Sequence, residues 1–252
     1  MKPHRLAGFA LLAALLLLWQ VSALSWVSST NWPPFTQVLK ALVEGFRSGE
    51  LVQVFGSSLG RMLAGYAAGS AVGIAVGVAM ARSRWLNAAL GPLVELLRPI
   101  PIPALVPPLI LLLGLDNAMK IFVVAFAVFF PVLINTATGV RAVDPVALDV
   151  ARTFQAGRWR TLAGVVLPAA LPYVMAGLRT SLALALIVTV VAEMIAGSAG
   201  LGYHLVTMQY AMRAPDMYAA IVLLAAVGYV LNRGMLALER RLLHWYQRDA
   251  AA

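Results

Sequence analysis

Residues 57–80 read Ser57-Ser58-Leu59-Gly60-Arg61-Met62-Leu63-Ala64-Gly65-Tyr66-Ala67-Ala68-Gly69-Ser70-Ala71-Val72-Gly73-Ile74-Ala75-Val76-Gly77-Val78-Ala79-Met80, and Arg61 is their lone charge. A transmembrane helix needs about 20 mostly apolar residues, and this run supplies them. Gly65, Gly69, Gly73 and Gly77 recur at every fourth position. On a helix that spacing gathers them into one groove without side chains. Lipid tails are as apolar as leucine, so helices associate in a membrane by close approach, and such grooves allow it. The glycines are expected to form a helix-packing face; a glycine hinge is the other use of the same residues.

The rest of the chain has the same character. Of its 252 residues, 62% are hydrophobic and 12% charged, against roughly half and a quarter in a soluble domain. Apolar runs near 6–24, 57–80, 86–115, 121–140, 171–196 and 217–238 predict six spans. The expected fold class is all-α integral membrane. It divides into an N-terminal span with a polar external stretch (1–56) and a core of five further spans (57–252). The first run follows Lys2, His4 and Arg5, and Val21-Ser22-Ala23 has the composition of a cleavage site, as in a signal peptide. Its length and the membrane chain behind it favour an uncleaved span. Trp32-Pro33-Pro34 breaks any helix. Phe35, Val38, Leu39, Leu42, Val43 and Phe46 then share one side of a short amphipathic helix, expected to lie on the membrane surface.

The third run holds Pro99, Pro101, Pro103, Pro107 and Pro108, more than a straight helix accepts. Broken backbone at membrane depth is tolerated only against protein or a water-filled cavity. This segment is therefore either a path lining or an interfacial loop followed by a helix starting near Pro103 or Pro107. Asp116 to Lys120 reads as a polar turn, and Gly197 to Asp216 as a glycine-bearing external loop.

The net charge is +9, but the basic residues are scattered between apolar runs rather than gathered into a nucleic-acid patch. They read as topology. Lys2, Arg5, Arg82, Arg84, Arg141, Arg152, Arg158, Arg160, Arg233, Arg240, Arg241 and Arg248 fall on one side. Lys40, Arg47, Lys120 and Arg213 fall on the other, with Arg61 near that outer end. Positive loops stay in the cytoplasm, which puts both termini inside. There is no cysteine, and His4, His204 and His244 are far apart, so no metal-ligand spacing exists.

Between the fourth and fifth spans, at about 141–168, the chain reads Asp144-Pro145-Val146-Ala147-Leu148-Asp149-Val150-Ala151-Arg152-Thr153-Phe154-Gln155-Ala156-Gly157 and ends Val165-Val166-Leu167-Pro168. Asp144 suits an N-cap and Pro145 the first helical position. Ala147, Ala151 and Phe154 then share a face, expected to be a docking face. Gln155-Ala156-Gly157 reads as a turn, and a second short helix runs to Pro168. Such a helix-turn-helix is a handle by which a soluble partner moves two spans together.

This stretch resembles the signature of inner-membrane permeases of binding-protein-dependent ABC importers. That signature is Glu-Ala-Ala, then a Gly, then Ile-x-Leu-Pro. Asp149-Val150-Ala151 takes the first place, Gln155 stands where the motif has Gly, and Val165, Leu167 and Pro168 take the last. Further likenesses to the branch importing alkanesulfonates, taurine, nitrate or thiamine precursors are Leu97-Arg98-Pro99-Ile100-Pro101, Lys120-Ile121-Phe122, Phe130-Pro131-Val132-Leu133-Ile134-Asn135-Thr136 and Ala192-Glu193-Met194-Ile195. The resemblance implies a type I, MetI-like fold in a bacterial plasma (inner) membrane, working by alternating access with no covalent step. It implies a second permease copy, an ATPase subunit and an external solute-binding protein. It marks Ala147, Asp149, Val150, Ala151, Phe154, Gln155, Gly157, Val165, Leu167 and Pro168 as ATPase-coupling residues. A Gly in the turn permits positive φ, so Gln155 either carries strain or the turn shifts to Gly157. The chain has no G-x-x-x-x-G-K-[ST] loop, so ATP, the one cofactor implied, is expected on the partner.

Four charges fall in or near apolar spans: Glu95, Arg98, Arg179 and Glu193. Intramembrane charge marks a pathway or a buried pair. Arg179 is placed at a depth similar to Glu95, within reach of pairing. Glu193 lies about 21 Å further along its helix. An ion-coupled secondary transporter is the alternative function. It would want a titratable site at mid-membrane and inverted repeats, and neither is evident. An enzyme is not expected: no nucleophile, metal or paired-carboxylate constellation stands out.

Overall fold

The computed structural model describes residues 3–27 and 29–245. Lys2 and Arg248, used above as topology signals, lie outside them. The described residues form helices joined by short connections. They run α1 (Pro3–Val21) into a wide π turn (Ser22–Trp26), then α2 (Phe35–Arg47), α3 (Glu50–Arg82), α4 (Arg84–Leu97), α5 (Ile102–Leu113) and α6 (Asn117–Arg141). After these come α7 (Pro145–Thr153), α8 (Arg158–Thr161), a second π turn (Leu162–Val166), α9 (Leu167–Ala196), α10 (Leu201–Tyr210) and α11 (Ala214–Leu242).

Four of these are long and apolar enough to cross a membrane: α3, α6, the continuous rod Arg158–Ala196, and α11. The proline-broken run becomes α4 and α5, bent 101° to one another, which together make a fifth. The sixth expected span rests on α1, whose apolar stretch Ala10–Trp26 is shorter. At 1.5 Å per residue it covers about 26 Å, a little under the hydrocarbon thickness. The second span starts earlier than its apolar run suggests: α3 begins at Glu50, so a boundary at 56/57 falls inside a helix. The expected polar turn at Asp116–Lys120 is mostly the first turn of α6, and Lys120 is buried there. The expected external loop contains α10.

The centre of the bundle is α6, flanked by α3 on one side and α9 on the other. Its contact with α3 runs along the four glycines, all of them buried. A Cβ on Gly65 would fall 2.8 Å from the Ile121 carbonyl oxygen, on Gly69 2.9 Å from the Ala125 Cα, on Gly73 2.9 Å from the Phe129 oxygen, and on Gly77 2.7 Å from the Leu133 oxygen. Each is closer than a methyl group tolerates, and each obstacle is backbone, which cannot rotate aside. The glycines thus hold two helices of one chain together rather than two copies of it. Met62, Val124, Val128, Val132 and Met175 fill the core around them.

At the α10 end, α1 and α2 are tied to α11. Trp19, Trp32, Phe35 and Tyr218 form an aromatic cluster with centroids 5.5–5.9 Å apart. Trp19 Nε1 donates to the Pro33 carbonyl at 3.1 Å and Trp32 Nε1 to Ser22 Oγ at 3.0 Å. The apolar side of α2 divides: Val38, Ala41 and Leu42 pack inward with Ala219, while Leu39, Val43 and Phe46 face out.

Gly69→Ala is expected to destabilise the chain by about 1–3 kcal/mol, the usual range for overpacking. Gly60→Ala lies on the same helix, where a Cβ meets nothing within 4 Å. It is expected to be neutral, or to stabilise by up to about 1 kcal/mol through helix propensity. Thermal unfolding in detergent compares the two; equal midpoints would show that the α3–α6 contact tolerates a methyl group.

Candidate functional site

Asp144 caps α7, its Oδ1 accepting from Val146 N at 2.9 Å. The helix ends in a complete Schellman closure: Gln155 N donates to the Arg152 carbonyl and Ala156 N to the Ala151 carbonyl, both at 2.9 Å. That closure demands a left-handed residue, and Gln155 adopts φ 51°. Gly157 has an ordinary φ of −61°, so the turn does not shift to it. Gln155 sits in a conformation that costs a residue with a Cβ about 1–2 kcal/mol.

The orientation of α7 corrects the expected docking face. Ala151 is 7% exposed, and Ala147 and Leu148 are half-buried. Leu148 leans on Val140, Val143, Val166 and Ala170, the cluster that fastens α7 between α6 and α9. The outward row is Val146, Val150 and Phe154, spaced four apart, with Asp149 and Arg152 beside it. Phe154 is 81% and Trp159 82% exposed. Ala151 and Phe154 therefore do not share a face: Phe154 continues the exposed row one turn after Val150, while Ala151 turns to the bundle. Val165 is half-buried and Leu167 exposed beside the π turn. Pro168 has no N–H to offer the Gly164 carbonyl one turn back, and the backbone widens immediately before it.

A cavity of about 610 Å³ opens near this end between α3, α4 and α6, and Asn87, Glu95, Arg98, Thr138 and Arg141 bring its polar groups. Arg141 Nη2 donates to Asn87 Oδ1 at 2.5 Å. Arg179 does not pair with Glu95. It faces Glu239 of α11 at 3.8 Å, both partly exposed.

Glu193 stands at the opposite end and is 0% exposed. Its partner is Arg61, 132 positions away, whose Nε and Nη2 reach Oε1 at 3.0 and 2.6 Å. Ser58 Oγ lies 2.8 and 2.7 Å from the two carboxylate oxygens. Gly202 N donates to Oε2 at 3.0 Å, and Leu201 N donates to Ser58 Oγ at 2.7 Å. The remaining donors of Arg61 go to Asn117 Oδ1 at 3.1 Å and to Ser57 Oγ and the Ala199 carbonyl at 3.2 Å. Three elements, α3, α9 and α10, thus meet at one carboxylate, and α6 joins them through Arg61. Gly200 turns the chain into α10 at φ +112°, where a Cβ would strike the Arg61 and Glu193 side chains. Arg61 and Ser58 were hidden in sequence. One signal pointed to them: a cation and a hydroxyl one turn apart at the same end of the membrane as Glu193.

A bundle of long apolar helices with an exposed hook at one end and a buried ion pair at the other is built as a multi-pass membrane protein. The profile of the family described as binding-protein-dependent transport system inner membrane component matches residues 69–244, and this chain belongs to that family. It is 34% identical over 97% of its length to a putative aliphatic sulfonates transport permease protein of Bacillus subtilis, covering 91% of that protein. It is 34% identical over 90% of its length to the taurine transport system permease protein of Escherichia coli, covering 85%. It is 38% identical over 93% of its length to the riboflavin transport system permease protein of Chloroflexus aurantiacus, covering 88%. Among solved structures, the inward-facing MetNI methionine ABC transporter shares the fold at a TM-score of 0.66 and 20% identity, over 76% of this chain and 95% of that one. The chain is therefore a multi-pass membrane protein and a permease subunit of an ABC importer, which supports that reading over the ion-coupled alternative.

Gln155→Gly is expected to keep the hook and stabilise the chain by up to about 1 kcal/mol, because glycine enters the left-handed region without penalty. The readout is the thermal midpoint of the purified permease. A fall in midpoint would show that the Gln155 side chain contributes more than its backbone costs.

Proposed function

We propose that this permease carries a small organic anion of the sulfonate type into the cell, driven by a separate ATPase that grips the α7 hook. The observation that carries the reading is the apolar row Val146, Val150 and Phe154, exposed beside Trp159 on a hook whose other side is fixed in the bundle. Two large aromatics and two valines exposed on one short segment make an apolar patch of the kind that marks a contact site. The hook joins the C-terminal end of α6 to the start of α9, so a push on it reaches both spans. ATP is bound and hydrolysed by the partner, and this chain contributes no covalent step.

The solute class is supported by relatives named for aliphatic sulfonates and taurine. The cavity near the hook agrees with it: Arg98 and Arg141 outweigh Glu95 there, which favours an anion in a low-dielectric mouth. The similarly close riboflavin permease shows why identity alone does not choose the solute. In this arrangement an external binding protein selects it, and two permease copies form the path between them. The hook, Arg82 and Arg84 face the cytoplasm, by the positive-inside bias.

Val150→Glu is expected to leave membrane abundance unchanged and to lower ATPase co-purification at least about tenfold, since an unpaired charge buried in a contact costs a few kcal/mol. Full co-purification would mean the hook is not the handle. In vesicles holding the complete complex, taurine or ethanesulfonate uptake is expected to require ATP, and the purified permease alone is expected to hydrolyse none. Uptake without ATP, or hydrolysis by the permease alone, overturns the reading.

Orientation is read in the cysteine-free chain. Tyr210→Cys is expected to react with an impermeant thiol reagent in spheroplasts. Trp159→Cys is expected to react only after permeabilisation. The reverse pattern would invert the topology.

A further inference from the structure

Glu193 is more thoroughly bound than a structural ion pair requires. Its carboxylate takes two guanidinium donors, a hydroxyl and a backbone N–H, and none of it meets solvent. Two of these ties reach α10: Gly202 N on the carboxylate directly, and Leu201 N through Ser58. Arg61 adds the Ala199 carbonyl just before α10. Below the ties, Leu201, Leu205 and Met208 are buried against the bundle, and His204 Nδ1 lies 3.4 Å from Glu50 Oε1 at the start of α3. The contrast is α4, which buries no residue and is set at 101° to α5 by the prolines between them; α5 itself packs on the core through Val106.

We propose that Glu193 and Arg61 are positioning residues that weld α10 to α3, α6 and α9. The helix then travels with that body throughout transport, and the outer mouth opens without α10 swinging away. Swinging it would strip the Gly202 N–H from the buried carboxylate, the Leu201 N–H from Ser58 and the Ala199 carbonyl from the Arg61 guanidinium, leaving a buried ion pair short of partners. The moving wall of each subunit is instead α4, hinged at the prolines that precede α5. This rests on the ATPase and binding-protein partnership proposed above.

The chain's lack of cysteine makes the test direct. Glu50→Cys with His204→Cys places one pair of thiols between α3 and α10. The variant is reconstituted with its ATPase and binding protein in phospholipid vesicles and bridged with a short bis-methanethiosulfonate reagent. ATP turnover is compared before bridging, after it, and after reduction. Turnover needs no knowledge of the solute. Its dependence on the binding protein in the unbridged complex tests the partnership by itself, and only the difference between bridged and reduced forms bears on α10. The expected result is that bridging leaves at least about half of the turnover, because the two helices are already one body. A loss of about tenfold or more, restored by reduction, would show that α10 must leave α3 and would overturn the proposal.

A second arm separates positioning from stability. Adding Glu193→Gln is expected to lower stimulated turnover about tenfold at matched permease levels, by leaving Arg61 uncompensated. The bridge is expected to restore most of it, by holding α10 in place of the lost carboxylate. Failure of the bridge to rescue would mean that Glu193 does something other than hold α10.

Discussion

Two helices in hydrocarbon gain nothing from hiding apolar side chains from each other, so what joins them is the closeness of their backbones. The α3–α6 contact is built on that constraint. Its four glycines set α3 directly on the carbonyl oxygens and Cα atoms of α6. The other side of α6 repeats the device. A Cβ on Gly139 would fall 2.6 Å from that of Tyr173, and one on Gly177 2.9 Å from that of Asn135. The outcome is a three-helix slab, α3–α6–α9, with its central member covered on both faces. Everything functional hangs from its ends.

At the basic end the slab fixes the hook. Leu148 and Ala151 are drawn inward by the cluster around Val143 and Val166, which forces Val150 and Phe154 outward on a nine-residue helix. The docking surface proposed for the partner is thus a by-product of how the hook is fastened: the bundle takes one face and leaves the other exposed. At the opposite end the slab brings Ser58, Arg61, Asn117 and Glu193 within bonding range. A carboxylate and a guanidinium are affordable there only because each finds nearly all its partners on helices already held in place.

Much of this was legible in the sequence, and the failures are physical. The glycine period predicted a close-packing face because its meaning is local to one helix. Five of the six expected spans, one of them as the bent pair α4–α5, and the Asp144 cap were legible for the same reason. Glu193 was recognisable as an intramembrane charge, but its partner lies 132 positions away, and helical spacing carries no information over that distance. Arg61 looked like an outer-end topology charge. Arg179 looked available to Glu95 on depth alone, while α11 brings Glu239 closer. The face of α7 was misassigned because small residues suit a docking contact and a packing contact equally. The deciding fact is the neighbouring cluster, which only tertiary structure supplies. The Gln155 turn was readable as a choice between two positions, and the Schellman bonds decide it.

The two ends are joined by one object. From Leu167 to Ala196, α9 spans 30 residues, about 45 Å of helix. It begins at the π turn beside the hook and carries Glu193 in its last turn. A rod of that length rotated by about 10° moves its far end by about 8 Å, several times the length of a hydrogen bond. Were α10 fastened to α9 alone, such a rotation would tear its neighbours apart. Because Glu193 is shared with α3 and Asn117 is drawn in through Arg61, the slab has to tilt as a whole. The compliance must then lie where backbone hydrogen bonds are already missing: the π turn before Pro168, and the prolines between α4 and α5. Stiffness at the glycines and the ion pair, with slack at the prolines, is the arrangement by which, under the proposed function, a push on a nine-residue hook would reach the other side of the membrane.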